Sequence, residues 1–292
     1  MSVWDGSLDL LALMTSPAQN RASRVYDLIG MRHVLGEQSL FLNLGYWDGV
    51  QTYDAACKRL AEVLGEVVGL RPEDELLDCG FGFGDQDIFW AERFGPAKIT
   101  GLNIAAAQVN EGRRRVAGRG LSERIDLREG SATRMPVPDR SCDKVTSLES
   151  AFHYDTRADF FAEAFRVLRP GGRLATADII PRPGSKRRFG GEDALAYVVD
   201  RLARQFWQIP QANMYDRDEY ARRLAAAGFT DVRVESIREH VYPGLRDFAQ
   251  ARLRIPEVRG KVHPLVRLGG ACLGFIAGPR GPDYVLASAR RP

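Results

Sequence analysis

Three glycines at alternate positions are the clearest sign of chemistry in this sequence. Gly80, Gly82 and Gly84 follow a short apolar run, and Asp78 stands two residues before the first of them. Glycines spaced in this way let a backbone turn sharply and approach a ligand where a side chain would collide. A helix is predicted directly after the loop, and its unpaired N–H groups favour a polar ligand. The spacing indicates a nucleotide-like cofactor and differs from the G-x-G-x-x-G of nicotinamide dehydrogenases.

Other polar residues stand where later strands are predicted to end, and in a parallel sheet these ends meet at one crevice. Asn103 closes the strand after the glycines, where such folds place a residue that bonds the ribose hydroxyls. A carboxylate is usual there, and the Asn103 amide makes such bonds more weakly. The further predicted cofactor contacts are Gln108 in the following helix, Ser131 and Ala132 after the third strand, and Glu149 at the end of the fourth. For Ser131, the alternative is an ordinary position in the turn after the strand, without a contact to a ligand.

The elements that must position these residues alternate as in repeated βαβ units. Strands are predicted near 75–79, 98–103, 124–128, 143–149, 172–179, 231–237 and 283–289. Helices are predicted near 53–68, 85–94, 105–119, 158–168, 193–206 and 217–227, with two short ones near the N-terminus and two between the last strands. A turn at Pro170-Gly171-Gly172 is predicted to separate the helix at 158–168 from the next strand. The pattern predicts an α/β fold, a Rossmann-like seven-stranded and mostly parallel sheet with helical insertions that form a cap.

The chain divides into four predicted regions. Residues 71–180 form the cofactor-binding core, and 1–70 supply N-terminal helices that cover the cofactor site. Residues 181–216 interrupt the βα rhythm with prolines and glycines and are predicted to be a cap insertion. Residues 217–292 complete the core and carry a helical insertion at 238–282.

Composition excludes several classes of protein. The 292 residues are 45% hydrophobic and 27% charged, as in globular proteins, and the net charge of +3 is too small to indicate nucleic-acid binding. Since no run approaches the ~20 apolar residues of a membrane span, stable membrane insertion is not expected. The N-terminus does not resemble a signal peptide, which predicts a cytoplasmic protein. The four cysteines lack metal-ligand spacing, so reduced thiols and no metal are expected.

Several stretches of the sequence resemble bacterial S-adenosylmethionine-dependent small-molecule methyltransferases of class I, whose pattern is D-x-G-x-G-x-G. They are NLGYW (43–47), LLDCGFGFGDQDIFW (76–90), SLESAFHY (147–154), FFAEAFRVLRPGG (160–172) and ADIIP (177–181). The similarity is closest to the erythromycin O-methyltransferase group and covers about 41–182, with fragments further on. It implies S-adenosyl-L-methionine as cofactor and a small-molecule acceptor, most simply a hydroxyl of a natural product.

Methylation of a hydroxyl requires a group that takes its proton, and a positioned base contributes ~10²–10⁴-fold. His153 lies four residues after Glu149, and Asp178 ends the fifth strand, which should neighbour the fourth. A carboxylate on one imidazole nitrogen would raise the basicity of the other. The resemblance supports this catalytic pair, because rebeccamycin-type enzymes place a histidine and an aspartate at corresponding positions. The alternative is a structural histidine at a strand end.

Other functions stay open on the sequence alone. The same fold could methylate nitrogen, carbon or a carboxylate, and a carboxylate would need no base. A cofactor-binding module without catalysis is the alternative from another class. The expected partners are the small-molecule acceptor and, in a homodimer, a second copy of the chain.

Overall fold

The structure is a computed structural model that describes residues 39–182, 209–261 and 281–292. The short helices predicted near the N-terminus and the helix predicted near 193–206 lie outside these residues. So does most of the predicted cap insertion. Within the described ranges, no helix is long and apolar enough to cross a lipid bilayer.

One sheet of seven strands organises the chain. In chain order the strands are β1 (Glu75–Cys79), β2 (Lys98–Asn103), β3 (Ile125–Glu129), β4 (Cys142–Leu148), β5 (Leu168–Ile180), β6 (Thr230–Ser236) and β7 (Asp283–Arg290). Their order across the sheet is β3-β2-β1-β4-β5-β7-β6. Strand β7 runs antiparallel to β5 and β6, while the pairs from β3 to β5 are parallel. The predicted fold class is therefore confirmed.

Helices connect the strands and cover the sheet. They are α1 (Tyr53–Val68), α2 (Asp85–Arg93), α3 (Ala106–Gly118), α4 (Arg157–Val167), α5 (Arg217–Ala226), α6 (Arg238–Leu253) and α7 (Pro256–Lys261). Helix α1 follows its sequence closely, because Thr52 caps its start and Gly69, at a φ of 69°, ends it. Its apolar residues recur at helical spacing on one buried face.

Two apolar clusters lie on the two sides of the sheet. One joins strand residues to α1, α2, α3 and α6, with Trp90 and Tyr242 among its large side chains. The other joins strand residues to α4 and α5 through Phe160, Phe161 and Tyr220. Because both faces are covered, the central strands are buried almost throughout, as their apolar sequences require.

Strand β5 begins earlier than its sequence indicates. The predicted turn at Pro170-Gly171-Gly172 lies inside the strand, which starts directly after α4 at Leu168. Gly171 has a φ of 82°, and the pairing with β4 shifts register between Cys142 and Lys144. The turn residues thus lie in a bulge inside the strand, where the pairing with β4 passes from Leu168 directly to Arg173, and they do not separate helix from strand.

Candidate functional site

The glycine loop joins β1 to α2 at the carboxyl ends of the parallel strands. All three glycines have left-handed φ values, 83° at Gly80, 58° at Gly82 and 81° at Gly84. The Gly80 N–H donates to the carbonyl of Leu102 on β2 at 2.7 Å, which fixes the start of the loop. Only glycine adopts three such conformations in so short a stretch without strain.

The need for glycine at position 80 comes from the protein itself. A Cβ on Gly80 would lie 2.2 Å from the Oγ of Ser150 and 2.3 Å from its Cβ. The residues after β4 therefore pack directly on the loop. At Gly82, by contrast, the nearest atom to a Cβ is the Cδ1 of Leu42 at 3.3 Å. A Cβ at Gly82 would need Leu42 to move by only a few tenths of an ångström, so the cradle at Gly82 is wider than the space at Gly80.

Asp78, two residues before the loop, is fully buried. Its carboxylate accepts hydrogen bonds from Gln86 Nε2 and Thr146 Oγ1, both at 2.8 Å. Burial raises the pKa of Asp78 to about 7, although these two donors oppose the change. The side chain thus ties the loop to α2 and β4, and its predicted contact with the cofactor stays a prediction.

Asn103 and Gln108 form a pair beside the glycine loop. The Asn103 Nδ2 donates to Gln108 Oε1 at 2.8 Å and lies 3.3 Å from the carbonyl oxygen of Gly82. Its Oδ1 accepts from the amide of Ala105. The adjacent Ile104 is 52% exposed, an unusual degree for a large apolar side chain at a strand end. Polar and apolar groups for a nucleoside are therefore present together.

Ser131 and Ala132 follow β3 at the same edge. The Ser131 Oγ accepts from the amide of Thr133 at 3.2 Å and contacts its hydroxyl at 2.9 Å. The Ser131 hydroxyl is therefore already hydrogen-bonded within its own local turn. Ala132 is buried, 6% exposed, next to the crevice.

Glu149 is held at the end of β4 in a left-handed conformation, with a φ of 49°. Its Oε1 accepts from the Leu44 amide at 2.5 Å and from the Tyr284 hydroxyl at 2.6 Å. Burial raises the pKa of Glu149 to about 8, with Asp178 adding to the rise and the two donors opposing it. The carboxyl therefore joins β4, β7 and the segment before α1.

That segment, residues 41–47, lies over the glycine loop. Leu42 approaches Gly82, and Leu44 binds Glu149. The Asn43 carbonyl accepts from the Tyr53 hydroxyl of α1 at 2.6 Å. The Trp47 amide donates to the carbonyl of His240 on α6 at 2.8 Å. The aromatic side chains of the segment thus pack on α1 and α6, while its leucines approach the site.

His153 ends a single helical turn, Ala151–His153, directly after β4. Two hydroxyls, Ser150 Oγ and Tyr154 OH, donate to the Cys79 carbonyl at 2.8 and 2.9 Å. Burial raises the pKa of Tyr154, so its hydroxyl keeps the proton that it donates. Because these residues stand on both sides of His153, the turn is fixed to the first peptide of the glycine loop.

Asp178 does not form the predicted pair with His153. It is fully buried and accepts from Arg157 Nε at 2.7 Å, from the Ile179 amide at 2.9 Å and from the Tyr220 hydroxyl at 3.3 Å. Arg157 is equally buried, and a buried guanidinium requires a counter-charge. In the described part of the chain, the carboxylate is therefore committed to Arg157, and the prediction that it orients His153 is corrected.

These residues fit a nucleoside cofactor. One edge of the sheet carries the cradle at Gly82, the amides at the start of α2 and the Asn103–Gln108 pair. Over the described ranges, no three histidine, cysteine, aspartate or glutamate side chains are grouped as metal ligands. That the reaction needs no metal stays a prediction.

Comparison with known proteins identifies the family. A family model described as a methyltransferase domain matches residues 77–176. Erythromycin 3''-O-methyltransferase of Saccharopolyspora erythraea is 37% identical over 94% of this chain and 90% of that enzyme. The chain belongs to the S-adenosylmethionine-dependent methyltransferases. The 27-O-demethylrifamycin SV methyltransferase of Amycolatopsis mediterranei is 30% identical to this methyltransferase, over 96% of this chain and all of that one.

Solved structures share the fold of this methyltransferase. The [4+2]-cyclase SpnF superposes with a TM-score of 0.71 at 22% identity and covers 95% of this chain and 97% of its own. Geranyl diphosphate C-methyltransferase from Streptomyces coelicolor A3(2), in complex with Mg²⁺, geranyl diphosphate and S-adenosyl-L-homocysteine, gives 0.69 at 19% identity, with coverages of 95% and 99%. At these identities the likeness concerns the fold.

Sequence reasoning missed several residues of the site. Arg157, Tyr284 and Asn213 hold the predicted residues in place, and each comes from a distant part of the chain. The capping threonine at 156 indicated a helix start and gave no sign of what Arg157 would bind. Ile104 was detectable, because an apolar residue directly after a predicted ribose-binding residue is suited to contact a ring.

Proposed function

We propose that this methyltransferase methylates a hydroxyl oxygen of a small, lipophilic natural product, with His153 as the general base. The relatives support the acceptor class, because both are named for O-methylation of complex natural products. The placement of His153 supports the base. Its turn is anchored on both sides to the carbonyl that opens the glycine loop.

The cofactor-binding residues are proposed from the same geometry. The loop from Gly80 to Gly84 would hold the cofactor against the main chain, and Asn103, which is hydrogen-bonded to Gln108, would bond the ribose with it. Ala132 and Ser131 would border the adenine. Glu149, bound to the Leu44 amide, would close the crevice under residues 41–47. When bound, S-adenosylmethionine would supply the methyl group from its sulfonium, and S-adenosylhomocysteine would leave as the S–CH3 bond is replaced by the new bond to the acceptor oxygen.

His153 then has one task. It takes the proton of the acceptor hydroxyl as the oxygen forms its new bond, because a protonated alcohol is a poor nucleophile. The turn that bears His153 is anchored at the carbonyl that opens the glycine loop, and a base placed close to the reacting groups lowers the barrier by proximity. Asp178 supports the site indirectly, through the buried ion pair with Arg157.

The test is the substitution His153→Ala. We expect turnover to fall by ~10²-fold or more while affinity for S-adenosylhomocysteine, measured by calorimetry, stays close to that of the wild type. The acid limb of the pH profile should disappear with the imidazole. Asp155→Ala is the matched control, since Asp155 is exposed and lies two residues after His153. Near-normal turnover with an unchanged acid limb in His153→Ala would show that the histidine is structural.

Three further features stay predictions. The insertions at 181–216 and 238–282 are proposed to cover the acceptor, and the aromatic pair Phe206 and Trp207 suits a lipophilic molecule. A homodimer and a cytoplasmic location are proposed with them. Protection of these insertions from protease by S-adenosylhomocysteine plus acceptor is the expected result for a cover.

A further inference from the structure

Asn213 makes hydrogen bonds on both sides of the candidate base. It ends a one-turn helix, Gln211–Asn213, and is 1% exposed. Its Nδ2 donates to the carbonyl oxygen of Phe152 at 3.2 Å and to that of Tyr154 at 2.7 Å. These two residues flank His153 in the chain. One amide group therefore holds the main chain before and after the histidine.

The other half of the Asn213 side chain reaches the buried ion pair. Its Oδ1 accepts from the Arg157 amide at 2.8 Å, and its main-chain carbonyl accepts from the Arg157 guanidinium. That guanidinium binds Asp178 and also donates to the Ile179 carbonyl at 2.8 Å. A continuous set of bonds thus runs from β5 through Arg157 and Asn213 to the turn that bears His153.

These hydrogen bonds restrict the orientation of the turn that bears His153 as well as its position. The hydroxyls of Ser150 and Tyr154 fix the distance of the turn from the glycine loop. Asn213 holds the Phe152 carbonyl, which belongs to the peptide directly before His153, and the Tyr154 carbonyl, which lies one peptide beyond it. It thereby restricts the rotation of the backbone that carries the imidazole. A general base must lie within hydrogen-bond reach of the proton it takes, and small misplacements far from the chemistry cost large factors in rate.

We propose that Asn213 is a positioning residue for methyl transfer, which orients His153 toward the acceptor hydroxyl. The proposal rests on the proposed role of His153 as the base. In the described part of the chain, the hydrogen bonds of Asn213 go to Phe152 and Tyr154, to Arg157, and to the nearby main chain at Pro210 and Tyr215. None goes to the glycine loop, so cofactor affinity should not depend on this residue.

Two variants test the proposal. Asn213→Ser removes the amide group, and Asn213→Asp keeps the oxygen that faces Arg157 while replacing both N–H donors by a second oxygen. Ala212→Ser is the matched control, because Ala212 is exposed in the same helical turn. For each protein we would measure turnover against pH, KM for the acceptor and calorimetric affinity for S-adenosylhomocysteine. The ¹³Cε1 NMR titration of His153 is added, with the signal assigned by its loss in His153→Gln.

Both Asn213 variants should lower kcat by about 10-fold or more, because the base is misdirected. The midpoint of the His153 titration should move, and the acid limb of the rate profile should move with it. Affinity for S-adenosylhomocysteine should stay within about 2-fold of the wild type, and Ala212→Ser should behave as the wild type. The NMR signal reports folded protein, so partial loss of stability does not hide the effect.

The proposal would be overturned if both variants kept the turnover, the acid limb and the His153 titration of the wild type. Asn213 would then have only a structural role in the loop. An equal loss of turnover and of S-adenosylhomocysteine affinity would overturn it too, since the damage would extend to the cofactor loop. Failure of the base assignment is distinguishable. It appears as retained turnover in His153→Ala, while the titration midpoint still reports whether Asn213 holds the ring.

Discussion

Glu149 is a carboxyl group that the fold removes from water and gives two hydrogen-bond donors. Leu44 and Tyr284 both donate to one of its oxygens, so the residue joins the segment over the cofactor loop to the far strand β7. Burial raises the pKa of Glu149 to about 8. The fold therefore favours the protonated form of the Glu149 carboxyl, and the contribution of this group to stability depends on pH.

The direction of this dependence follows from the two states of the protein. The unfolded chain releases the Glu149 proton near its ordinary pKa, while the folded protein keeps it to about pH 8. The free energy of unfolding should thus fall as pH rises from about 4.5 to 8, by up to a few kcal/mol for this group. Glu149→Gln keeps the acceptor oxygen and should remove that part of the slope.

Urea denaturation at pH 5, 6.5 and 8 measures the effect. Asp78, whose pKa is raised in the same direction, titrates in both proteins, so the difference between them isolates Glu149. Parallel curves for the wild type and Glu149→Gln would contradict the prediction.

Gly80 and Gly82 separate two roles of the glycine loop. Gly80→Ala places a methyl group against Ser150 and should destabilise the fold by about 3 kcal/mol or more, since overpacking and a left-handed φ act together. Gly82→Ala meets only the end of Leu42, so its strain should cost about 1–2 kcal/mol.

The two alanine variants should differ in what they lose. We expect Gly82→Ala to lose affinity for S-adenosylhomocysteine by far more than its thermal stability suggests, because the methyl group enters the open cradle. Gly80→Ala should lose both. Thermal melts with calorimetric titrations compare them, and equal behaviour of the two variants would show that the cradle is not at Gly82.

At the scale of elements, the sequence predicted all seven strands and most connecting helices to within a few residues. The spacing of apolar residues and the positions of turn-forming residues are local signals, so the strands and helices could be predicted from them. The glycine loop lies inside one βα unit, so its sequence pattern is local too. The start of β5 was missed, because a bulge let Gly171 stay within the strand. Glycine and proline occur both in turns between elements and in bulges within strands, so their presence alone does not distinguish the two.

The partners of the site residues could not be predicted in this way. Arg157 reaches Asp178 across 21 residues, and Asn213 reaches the carbonyl of Tyr154 across 59. Such pairings depend on how α4 and the chain before α5 sit against the sheet, which no local pattern encodes. Proximity of His153 and Asp178 was inferred from neighbouring strands, and the buried guanidinium that competes for the carboxylate was not visible.

At the scale of the whole molecule, residues 39–48 connect parts that are distant in sequence. The Leu40 amide binds Asp85 at the start of α2, Leu44 binds Glu149, and Trp47 binds α6 through the His240 carbonyl. His240 also stacks on Tyr46 at 4.8 Å. The segment that lies over the cofactor loop is thus held from both the cofactor side and the α6 side, so a change on α6 should reach the cofactor.

Gly244 on α6 offers a direct test of this coupling. A Cβ there would lie 2.3 Å from the Cβ of Trp47 and 2.4 Å from its Cγ, so Gly244→Ala must move Trp47 or the helix. Helix propensity alone favours alanine over glycine by about 1 kcal/mol. Gly118→Ala is the matched control, since Gly118 also lies in a helix and a Cβ there meets nothing within 4 Å.

The two glycine variants should therefore differ in the free energy of unfolding, which only Gly244→Ala should lower. Gly118→Ala should leave the free energy of unfolding unchanged or raise it by up to about 1 kcal/mol, with wild-type cofactor affinity. Gly244→Ala should lower it by about 1–3 kcal/mol, because overpacking outweighs propensity. It should also weaken S-adenosylhomocysteine binding several-fold as residues 41–47 shift, whereas destabilisation with unchanged affinity would show that α6 and the cofactor site are independent. Thermal melts and calorimetric titration of both variants decide between these results.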